Sequence, residues 1–541
     1  MTTPGDRALL DLKQVLEGAL QTNGALLSAG ERVVVERLLS LDGDAGRLYV
    51  RLLGRKGSVF RLEKLDYDDV GDLASAARRL EQLDLAHRNV PWSRRLPLYT
   101  MVELKEVCRR LGLGRAGNRE ALEQRLQEQT HWAEDPVLRI CGGGVVRRLE
   151  ILWFRSGWRD RTALLLERIG QTRFVDYERT GGGRAFADRR EFGRYLSALG
   201  GGDQSPEALL AEVQAHPYRD AALRGLDPRR IWANRAIEAA RELERAGERP
   251  RSIALYEGLL AAGVTQPGPL AKRLALCLES EGDPARGARV CVDWMPRARV
   301  ENRPSLTRTG RRLSRKAKLP WRPPVPLRRP PERTLTLPFY EGQWSDGHRI
   351  EAAVIDHLAP RRALHGENAL WTTLFGLVFL DLYWMPVHGM LPAPYLSGPL
   401  DLGTPAFREN RIAAVTARMA QDLEAVVRAN HATYEGCIAS GVWWGLDLEV
   451  LAGVANAGKP ILRRLLREGW GASRGLPDLA ILSGAAQKVP DLFPSRLTPD
   501  LLLVEVKGPN DQVRDEQAVW HDYLVSEGVP LEIWRIKAAL K

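Results

Sequence analysis

Two short apolar segments near the carboxyl end, each bordered by charged residues, constrain this chain more than any other feature. The first follows Asp478 in the sequence GLPDLAIL, and the second, DLLLVEVKGP, ends with Glu505 and Lys507 alternating with valines. Side chains two residues apart point to the same face of an extended strand. If both segments are strands, the pair can present two carboxylates and an ammonium in one small volume.

That set of groups suits a phosphodiesterase that uses a divalent metal. Carboxylate oxygens hold Mg²⁺ or Mn²⁺, the metal activates water and neutralises phosphate charge, and a lysine orients the nucleophile or stabilises developing charge. Each motif alone has a structural alternative, because Glu-x-Lys is common as a surface salt bridge and Pro-Asp is common in turns. Their order favours a site, since both lie beside apolar runs and a helical segment carrying Gln517 follows.

The composition is that of an ordinary globular protein. The 541 residues are enough for roughly three or four domains. The net charge of +11 is consistent with a polyanionic partner, and an acidic protein or a membrane surface would also fit. The five cysteines lack any metal-ligand spacing, which favours a reducing compartment. The most apolar run, residues 369–380, is too short for a membrane span, and no signal peptide opens the sequence, so we expect a cytoplasmic protein.

The amino-terminal region reads as helices from Asp6 to Leu39, with breaks at two glycines, followed by a basic segment from Gly46 to Tyr67. In this segment the rings of Tyr49 and Phe60 alternate with cations. Cations can bind a DNA backbone while exposed rings stack on bases. The alternative is an amphipathic helix that leads into a small strand, with its rings in the core. The candidate DNA-binding residues are Arg47, Arg51, Arg55, Lys56, Arg61 and Lys64.

Residues 96–129 resemble a SAP-type helical hairpin, a small module that commonly binds duplex DNA. Leu104, Val107 and Leu111 share one helical face, GLGRAGN is a turn, and the pattern then restarts. An ordinary helical hairpin would show the same periodicity. The cations that would contact DNA are Lys105, Arg109, Arg110 and Arg115.

The middle of the chain carries no catalytic signal. RRLEILWF and TRFVDYER have strand-like composition, and ADRREFGRYLSAL predicts a helix. Residues 206–295 are almost wholly helical and resemble two tetratricopeptide-like helical pairs, for which a structural role is favoured. Residues 297–333 are basic and rich in proline, which predicts a semi-rigid, solvated linker whose charge could also lie along DNA.

Beyond that linker, the pattern predicts a helix from about His348 and a long apolar helix beginning near Gly366. Glu367 stands in the first turn of the second helix. A carboxylate there is stabilised by the helix dipole, which explains the residue on structural grounds. The other explanation is that Glu367 reaches a metal held by Asp478 and Glu505, and spacing alone leaves both open.

Three carboxyl-terminal motifs resemble the VRR-NUC domain of the Fanconi-associated nuclease family, within the PD-(D/E)xK superfamily. They read HGENALWTTLFGLVFLDLYW, RGLPDLAIL and VEVKGPNDQVRDEQAVW. RLYVRLLGRKGSVFRLEKLDY resembles the family's amino-terminal signature, and the SAP-like and helical-repeat regions occur in the same order. The resemblance therefore covers nearly the whole chain, and the arrangement of the regions resembles that of bacterial members. The domains it implies are a DNA-binding domain (1–200), a helical domain (201–300), the linker (301–335) and a VRR-NUC domain (336–541).

The resemblance implies helical amino-terminal and repeat domains and an α/β restriction-endonuclease-like core. It also implies a structure-specific nuclease that uses two Mg²⁺ or Mn²⁺ ions to cut 5′ flaps and branched double-stranded DNA, with 5′ to 3′ exonuclease activity and a role in interstrand crosslink repair at the bacterial nucleoid. The catalytic lysine and the motif glutamine of the family fall on Lys507 and Gln517. The implied metal ligands are Glu367, Asp478, Glu505 and the backbone carbonyl of Val506.

This chain departs from the family pattern at three places. Where many relatives read NDR after EVKGP, it has Asn510, Asp511 and Gln512, so a backbone-contacting arginine is absent there. Relatives that bind a terminal 5′ phosphate carry basic residues where this chain has Trp470 and Glu516. Strict dependence on a 5′ phosphate is therefore not predicted. Two rival functions share the chemistry or the fold: a resolvase that cuts four-way junctions symmetrically, and a DNA-binding scaffold without catalysis.

Overall fold

The computed structural model describes residues 3–127, 136–157, 172–180, 184–202, 204–217, 226–264, 266–322, 325–337, 350–358, 363–366, 369–482, 501–508 and 510–538. The chain divides into two compact units. The first comprises residues 1–171 and 183–193, and the second comprises residues 172–182 and 194–541.

The first unit is a helical assembly with a small antiparallel sheet of order β1-β3-β2. Side chains of Thr3, Ser28 and Thr100 cap helices α1, α2 and α6 through capping boxes, which explains why these helices begin where they do. The elements are α1 (Pro4–Asn23), α2 (Ala29–Leu39), α3 (Gly43–Leu53), β1 (Val59–Arg61), α4 (Leu73–Gln82), β2 (Ala86–His87), α5 (Trp92–Arg95), α6 (Met101–Arg110), α7 (Arg119–Gln127), β3 (Val137–Ile140) and α8 (Gly143–Phe154).

The predicted helices from Asp6 to Leu39 are confirmed, although Gly30 lies inside α2 instead of ending a helix. The basic segment forms α3 and then β1, as the alternative interpretation of that segment stated. Helices α6 and α7 form the predicted hairpin around a core that includes Leu104 and Leu122.

Two strand predictions are wrong. RRLEILWF belongs to α8, because Val146, Leu149 and Leu152 recur every three residues and are buried on one face. Among the described residues, the backbone of TRFVDYER forms one isolated β-bridge, between Arg173 and Cys437, and no strand. Within that segment the Tyr177 hydroxyl instead donates to the Ala393 carbonyl at 2.7 Å. Strand-like composition was misleading at both places because β-branched and aromatic residues also pack well in helices and irregular segments.

The predicted helical region is confirmed in the second unit, where successive helices pack against their neighbours around one apolar core. Helix α9 (Arg189–Gly200), whose first five residues are assigned to the first unit, fulfils the helix prediction for ADRREFGRYLSAL. The others are α10 (Pro206–Ala215), α11 (Pro228–Arg245), α12 (Arg249–Ala261), α13 (Pro267–Ser280), α14 (Pro284–Trp294) and α15 (Arg303–Lys316).

The segment predicted as a solvated linker contains regular structure at both ends. Helix α15 buries Leu306 and Leu313 in the helical core, and strand β4 (Glu332–Leu337) joins a sheet. The high basic content concealed the helix, because its apolar positions are few. The domain boundaries themselves remain a prediction.

The carboxyl-terminal part of the second unit is a mixed sheet with helices. Helix α17 (Ala369–Tyr383) is buried almost all round, as its apolar sequence predicted. The elements are α16 (Ile350–Leu358), β5 (Ala363–His365), α17 (Ala369–Tyr383), α18 (Pro405–Glu409), α19 (Ile412–Ala420), α20 (Leu423–Tyr434), α21 (Leu448–Ala455), α22 (Lys459–Glu468), β6 (Leu479–Leu482), β7 (Leu501–Lys507), α23 (Asp515–Ser526) and β8 (Leu531–Ala538).

The five-stranded sheet has the order β4-β8-β7-β6-β5. Strand β7 lies at its centre, antiparallel to β6 and parallel to β8, and all seven of its residues are buried. Leu501 and Leu503 pack into the larger apolar core, whereas Leu502 and Val504 pack into the smaller one. Both faces of the sheet are therefore covered, which is typical of α/β domains. Among the described residues, no helix combines the length and apolarity that crossing a membrane requires.

Candidate active site

The register between β6 and β7 places the two predicted carboxylates next to each other. Leu479 pairs with Val504, so Asp478, the residue before β6, lies beside Glu505. The Asp478 Oδ2 atom accepts a hydrogen bond from the backbone N–H of Val506 at 2.8 Å. Only 5% of Asp478 and none of Glu505 is exposed. The sheet therefore holds two carboxyl groups together in a dry setting.

Lys507 and Gln517 both donate to one oxygen of Glu505. The Lys507 Nζ atom and the Gln517 Nε2 atom each lie 2.5 Å from Glu505 Oε1. The predicted same-face arrangement of Glu505 and Lys507 is thus present in the structure. These charge-assisted hydrogen bonds fix the direction of the Glu505 carboxylate.

Helix α23 presents Gln517 to the sheet in a fixed orientation. The Gln517 Oε1 atom accepts the backbone N–H of Arg514 at 2.9 Å, which leaves the amide nitrogen for Glu505. The segment before Asp478 passes very close to this helix. A Cβ atom on Gly475, whose φ is +86°, would lie 2.7 Å from the Gln517 backbone nitrogen. Only glycine fits there without displacement, so Gly475 permits the motif to approach the helix.

His521 is a member of the cluster that the sequence analysis missed. It lies one helical turn after Gln517, is almost fully buried, and places Nε2 3.5 Å from Glu505 Oε2. Burial and the nearby Lys507 ammonium lower the pKa of His521 to about 4, so the imidazole is neutral at physiological pH. The four-residue spacing from Gln517 is the signal that could have found it.

The electrostatics of the pair favour a cation. Burial, together with the neighbouring Glu505 carboxylate, raises the pKa of Asp478 to about 8. A divalent ion between the carboxylates would remove this penalty, and hard oxygen donors suit Mg²⁺ or Mn²⁺. Within the described ranges, no group of three or more His, Cys, Asp and Glu side chains is arranged to hold a metal. The predicted third carboxylate, Glu367, lies outside those ranges.

The predicted DNA-binding cations of the first unit fall into two groups. Arg55 and Lys56 are exposed and form no ion pair with any other residue that the structure describes. The other four form ion pairs inside the unit, namely Arg47 with Asp6 and Asp44, Arg51 with Asp69, Arg61 with Glu63 and Glu103, and Lys64 with Glu103. Arg61 is also buried and stacks over Tyr99. The rings of Tyr49 and Phe60 are buried in the core, as the structural alternative stated.

The cations of the helical hairpin are all exposed. Glu106 forms ion pairs with Arg109 and Arg110. Lys105 and Arg115 have no ion pair with any other residue that the structure describes. Of the four hairpin cations, Lys105 and Arg115 are therefore the best placed to bind an external anion.

Trp470, one of the positions predicted to depart from the family pattern, is a packing residue. Its ring meets that of Phe375 edge to face at 5.8 Å, and it fills the space beside Gly403 and Gly441. It offers no charge to a phosphate. Its role in the structure is therefore to fill the core at this position.

Three family models match the chain in order. The model described as FAN1, HTH domain matches residues 8–87, the SAP domain model matches residues 95–130, and the VRR-NUC domain model matches residues 418–538. The last range contains β6, β7 and α23, which carry the described cluster. The fold and the site thus define a nuclease with a VRR-NUC catalytic domain, a class that depends on a divalent metal.

Proteins similar over nearly the whole chain include the Fanconi-associated nuclease 1 homolog of Pseudomonas aeruginosa, 26% identical over 95% of this chain and 92% of that one. The homolog of Arabidopsis thaliana is 23% identical over 98% of this chain and 67% of its own length. The crystal structure of paFAN1 bound to 2nt 5′ flap DNA with gap superposes with a TM-score of 0.84 at 24% identity, covering both chains fully. The chain is thus similar over nearly its whole length to Fanconi-associated nucleases and shares their domain models in the same order.

Proposed function

We propose that this protein is a structure-specific DNA nuclease that cleaves 5′ flaps and related branched DNA by metal-dependent phosphodiester hydrolysis. The observation that carries the proposal is the buried cluster of Asp478, Glu505, Lys507 and Gln517 on adjacent elements. The substrate class is supported by the two crystal structures of paFAN1, which are described as bound to 5′ flap DNA.

The metal would be held by Asp478, Glu505, the backbone carbonyl of Val506 and Glu367. Support for Glu367 comes from its neighbour in the sequence, since the Gly366 N–H donates to the Asp478 carbonyl at 2.6 Å. When bound, Mg²⁺ or Mn²⁺ supplies a water of lowered pKa and neutralises charge on the phosphate. We propose two such ions, in keeping with hydrolysis at paired carboxylates.

The protein groups around that position orient the reactants. Lys507 holds its ammonium at the edge of the carboxylate pair, where it can direct the attacking water in line with the scissile bond or stabilise a phosphate oxygen. Gln517 restrains Glu505 through Oε1 and so keeps the second oxygen of that carboxylate in a constant direction. The apolar residues of β7 exclude bulk water from one side.

The helical regions would select the DNA. Phosphate contacts position a protein on DNA without reading its sequence, so junction shape should set specificity. Lys105 and Arg115 are candidates for such contacts, and Arg55 and Lys56 are exposed as well. We further propose 5′ to 3′ exonuclease activity and a role in interstrand crosslink repair, on the basis of the family resemblance. A DNA-binding scaffold without catalysis is disfavoured, because Asp478, Glu505, Lys507 and Gln517 are all present and lie together.

The site assignment is tested by Asp478→Ala and Lys507→Ala. Each should lower cleavage of a labelled 5′-flap oligonucleotide by at least about 100-fold with Mg²⁺, because each removes a group that holds the metal or stabilises the transition state. Binding of the same DNA should change by less than about threefold. Glu527→Ala and Lys537→Ala, exposed charges of the same domain, serve as matched controls. Full activity in either site variant would rule out the assignment.

A further inference from the structure

Helix α15 carries a dense row of cations on a helix that is firmly packed on its other side. Leu306, Gly310 and Leu313 are buried, and a Cβ atom on Gly310 would lie only 2.7 Å from the Trp321 ring. The backbone that bears the cations is therefore held in place by the helical core. Beyond Arg303, at its first position, the exposed cations along it are Arg308, Arg311, Arg312, Arg315 and Lys316.

Acidic neighbours neutralise only some of these charges. Glu279 binds Arg312 through both carboxylate oxygens, at 2.5 and 2.7 Å, and also binds Lys316 at 3.2 Å. Arg311 and Arg315 form no ion pair or side-chain hydrogen bond with any residue of the described ranges. They are four residues apart, which places them about 6 Å apart on one helical face.

Such an arrangement opposes helix stability. Like charges four residues apart destabilise a helix by about 0.2–0.5 kcal/mol per pair, and α15 contains three such pairs. Glu279 neutralises Arg312, but no acidic residue of the described ranges neutralises Arg311 or Arg315. Two guanidinium groups that stay exposed on one face of a packed helix are suited to bind an external anion. Guanidinium groups match phosphate oxygens in geometry and charge.

The same face is connected to the candidate active site. Arg308 forms a two-bond ion pair with Asp515, the first residue of α23, and the second of these bonds, Nη2 to Oδ2, is 2.5 Å long. Two residues further along α23, Gln517 donates to Glu505. The turn directly before α15, Val300–Asn302, also packs against α23. The cationic row thus begins beside the helix that orients the catalytic carboxylate.

We propose that Arg311 and Arg315 bind the phosphate backbone of the DNA arm that leads into the nuclease centre, an inference that rests on the proposed function. Arg308 is engaged by Asp515 and keeps this row fixed relative to α23. The contact is independent of sequence, because backbone phosphates carry no base information. It also depends on salt, since each neutralised phosphate releases condensed counterions.

The test compares two double variants with equal changes of charge. Arg311→Glu with Arg315→Glu reverses the proposed contacts, and Arg241→Glu with Arg245→Glu reverses two arginines of α11 that pair with Glu238. Affinity for a fluorescent 5′-flap DNA is measured by anisotropy at several salt concentrations. We expect the first variant to bind at least about tenfold more weakly, and the second to bind within about threefold of wild type.

Neutral variants keep the test valid if charge reversal disturbs folding. Arg311→Gln with Arg315→Gln should lower the slope of log affinity against log salt by about 1.5–2, because roughly 0.9 is lost for each phosphate contact. Flap-DNA affinity and slope equal to those of wild type would overturn the inference, and so would an equal loss in the α11 control. If the wild type itself neither binds nor cuts flap DNA, the proposed function fails as well.

Discussion

Asp478 and Glu505 show how a strand pair prepares a site for a cation. The two carboxyl groups are buried side by side, and one nearby ammonium, Lys507, shares Glu505 with Gln517. Burial and the Glu505 charge raise the pKa of Asp478 to about 8. Two carboxyl groups held this close with a single ammonium oppose folding, and under the proposed function a divalent ion would relieve that repulsion.

This conflict predicts how the stability of the metal-free protein depends on pH. A carboxyl whose pKa rises from 3.8 to about 8 on folding contributes stability that is present at low pH and lost as pH rises towards 8. His521, with its pKa lowered to about 4, acts in the opposite sense but only below its ordinary value of 6.5. The window from pH 6.5 to 8 therefore isolates Asp478.

In chelator-treated protein, Asp478→Asn should raise the free energy of unfolding relative to wild type, by an amount that grows by up to about 2 kcal/mol between pH 6.5 and 8. Thermal unfolding of both proteins at each pH measures the difference. Added Mg²⁺ should stabilise wild type more than the variant. A difference that stays constant with pH would contradict the electrostatic account of this site.

The residues of the cluster were largely predictable from the sequence, and the exceptions have a clear cause. Alternation along a strand placed Glu505 and Lys507 on one face, and the Pro-Asp motif marked Asp478. His521 was missed because its four-residue spacing from Gln517 shows only that the two residues share a helical face, and not which group that face contacts. That contact depends on how α23 packs on the sheet, which is a tertiary property.

Among the elements, α15 differs most from its prediction. Proline and arginine dominate residues 297–333, so the segment was predicted to be a linker. Leu306 and Leu313, seven residues apart on one face, are enough to attach the helix to the core of α10–α14. Sequence patterns with only two apolar anchors are too weak to predict such a helix. The central strand β7, in contrast, was predicted correctly, because a short continuous apolar run is typical of a buried strand.

Leu313→Ala tests whether α15 is part of the helical core. Leu313 is fully buried, so removing its side chain should cost about 2–4 kcal/mol and lower the unfolding temperature of the helical region by several degrees. Leu319→Ala, three residues beyond the helix and 39% exposed, should have little effect. Equal behaviour of the two variants in thermal unfolding followed by circular dichroism would show that α15 is not anchored.

For the molecule as a whole, the order of domains was the most predictable property. The three matched family models follow the predicted order of amino-terminal, SAP-like and VRR-NUC regions. The paths of DNA over the helical regions were less predictable, because four of the six cations in the basic amino-terminal segment turned out to have acidic partners. Charge counts alone do not show which cations are available to a phosphate.

The proposed function assigns hydrolysis to the sheet and the choice of substrate to the helical regions. The β6–β7 pair would hydrolyse any phosphodiester presented to it, since nothing in its polar groups reads a base. Exposed cations on α6, the turn after it and α15 would determine which phosphodiester arrives. Replacing those cations should change the affinity for DNA and its salt dependence. Replacing the carboxylates should change the rate of cleavage.

The most direct test maps the products of the purified protein on flap, nicked and four-way DNA with Mg²⁺ and with Mn²⁺. The proposed function predicts a single metal-dependent cut near the junction of the 5′ flap, absent in Asp478→Ala. Paired symmetric cuts confined to the four-way junction would favour a resolvase. DNA binding without any metal-dependent cleavage would contradict the assignment of a nuclease centre to Asp478, Glu505 and Lys507.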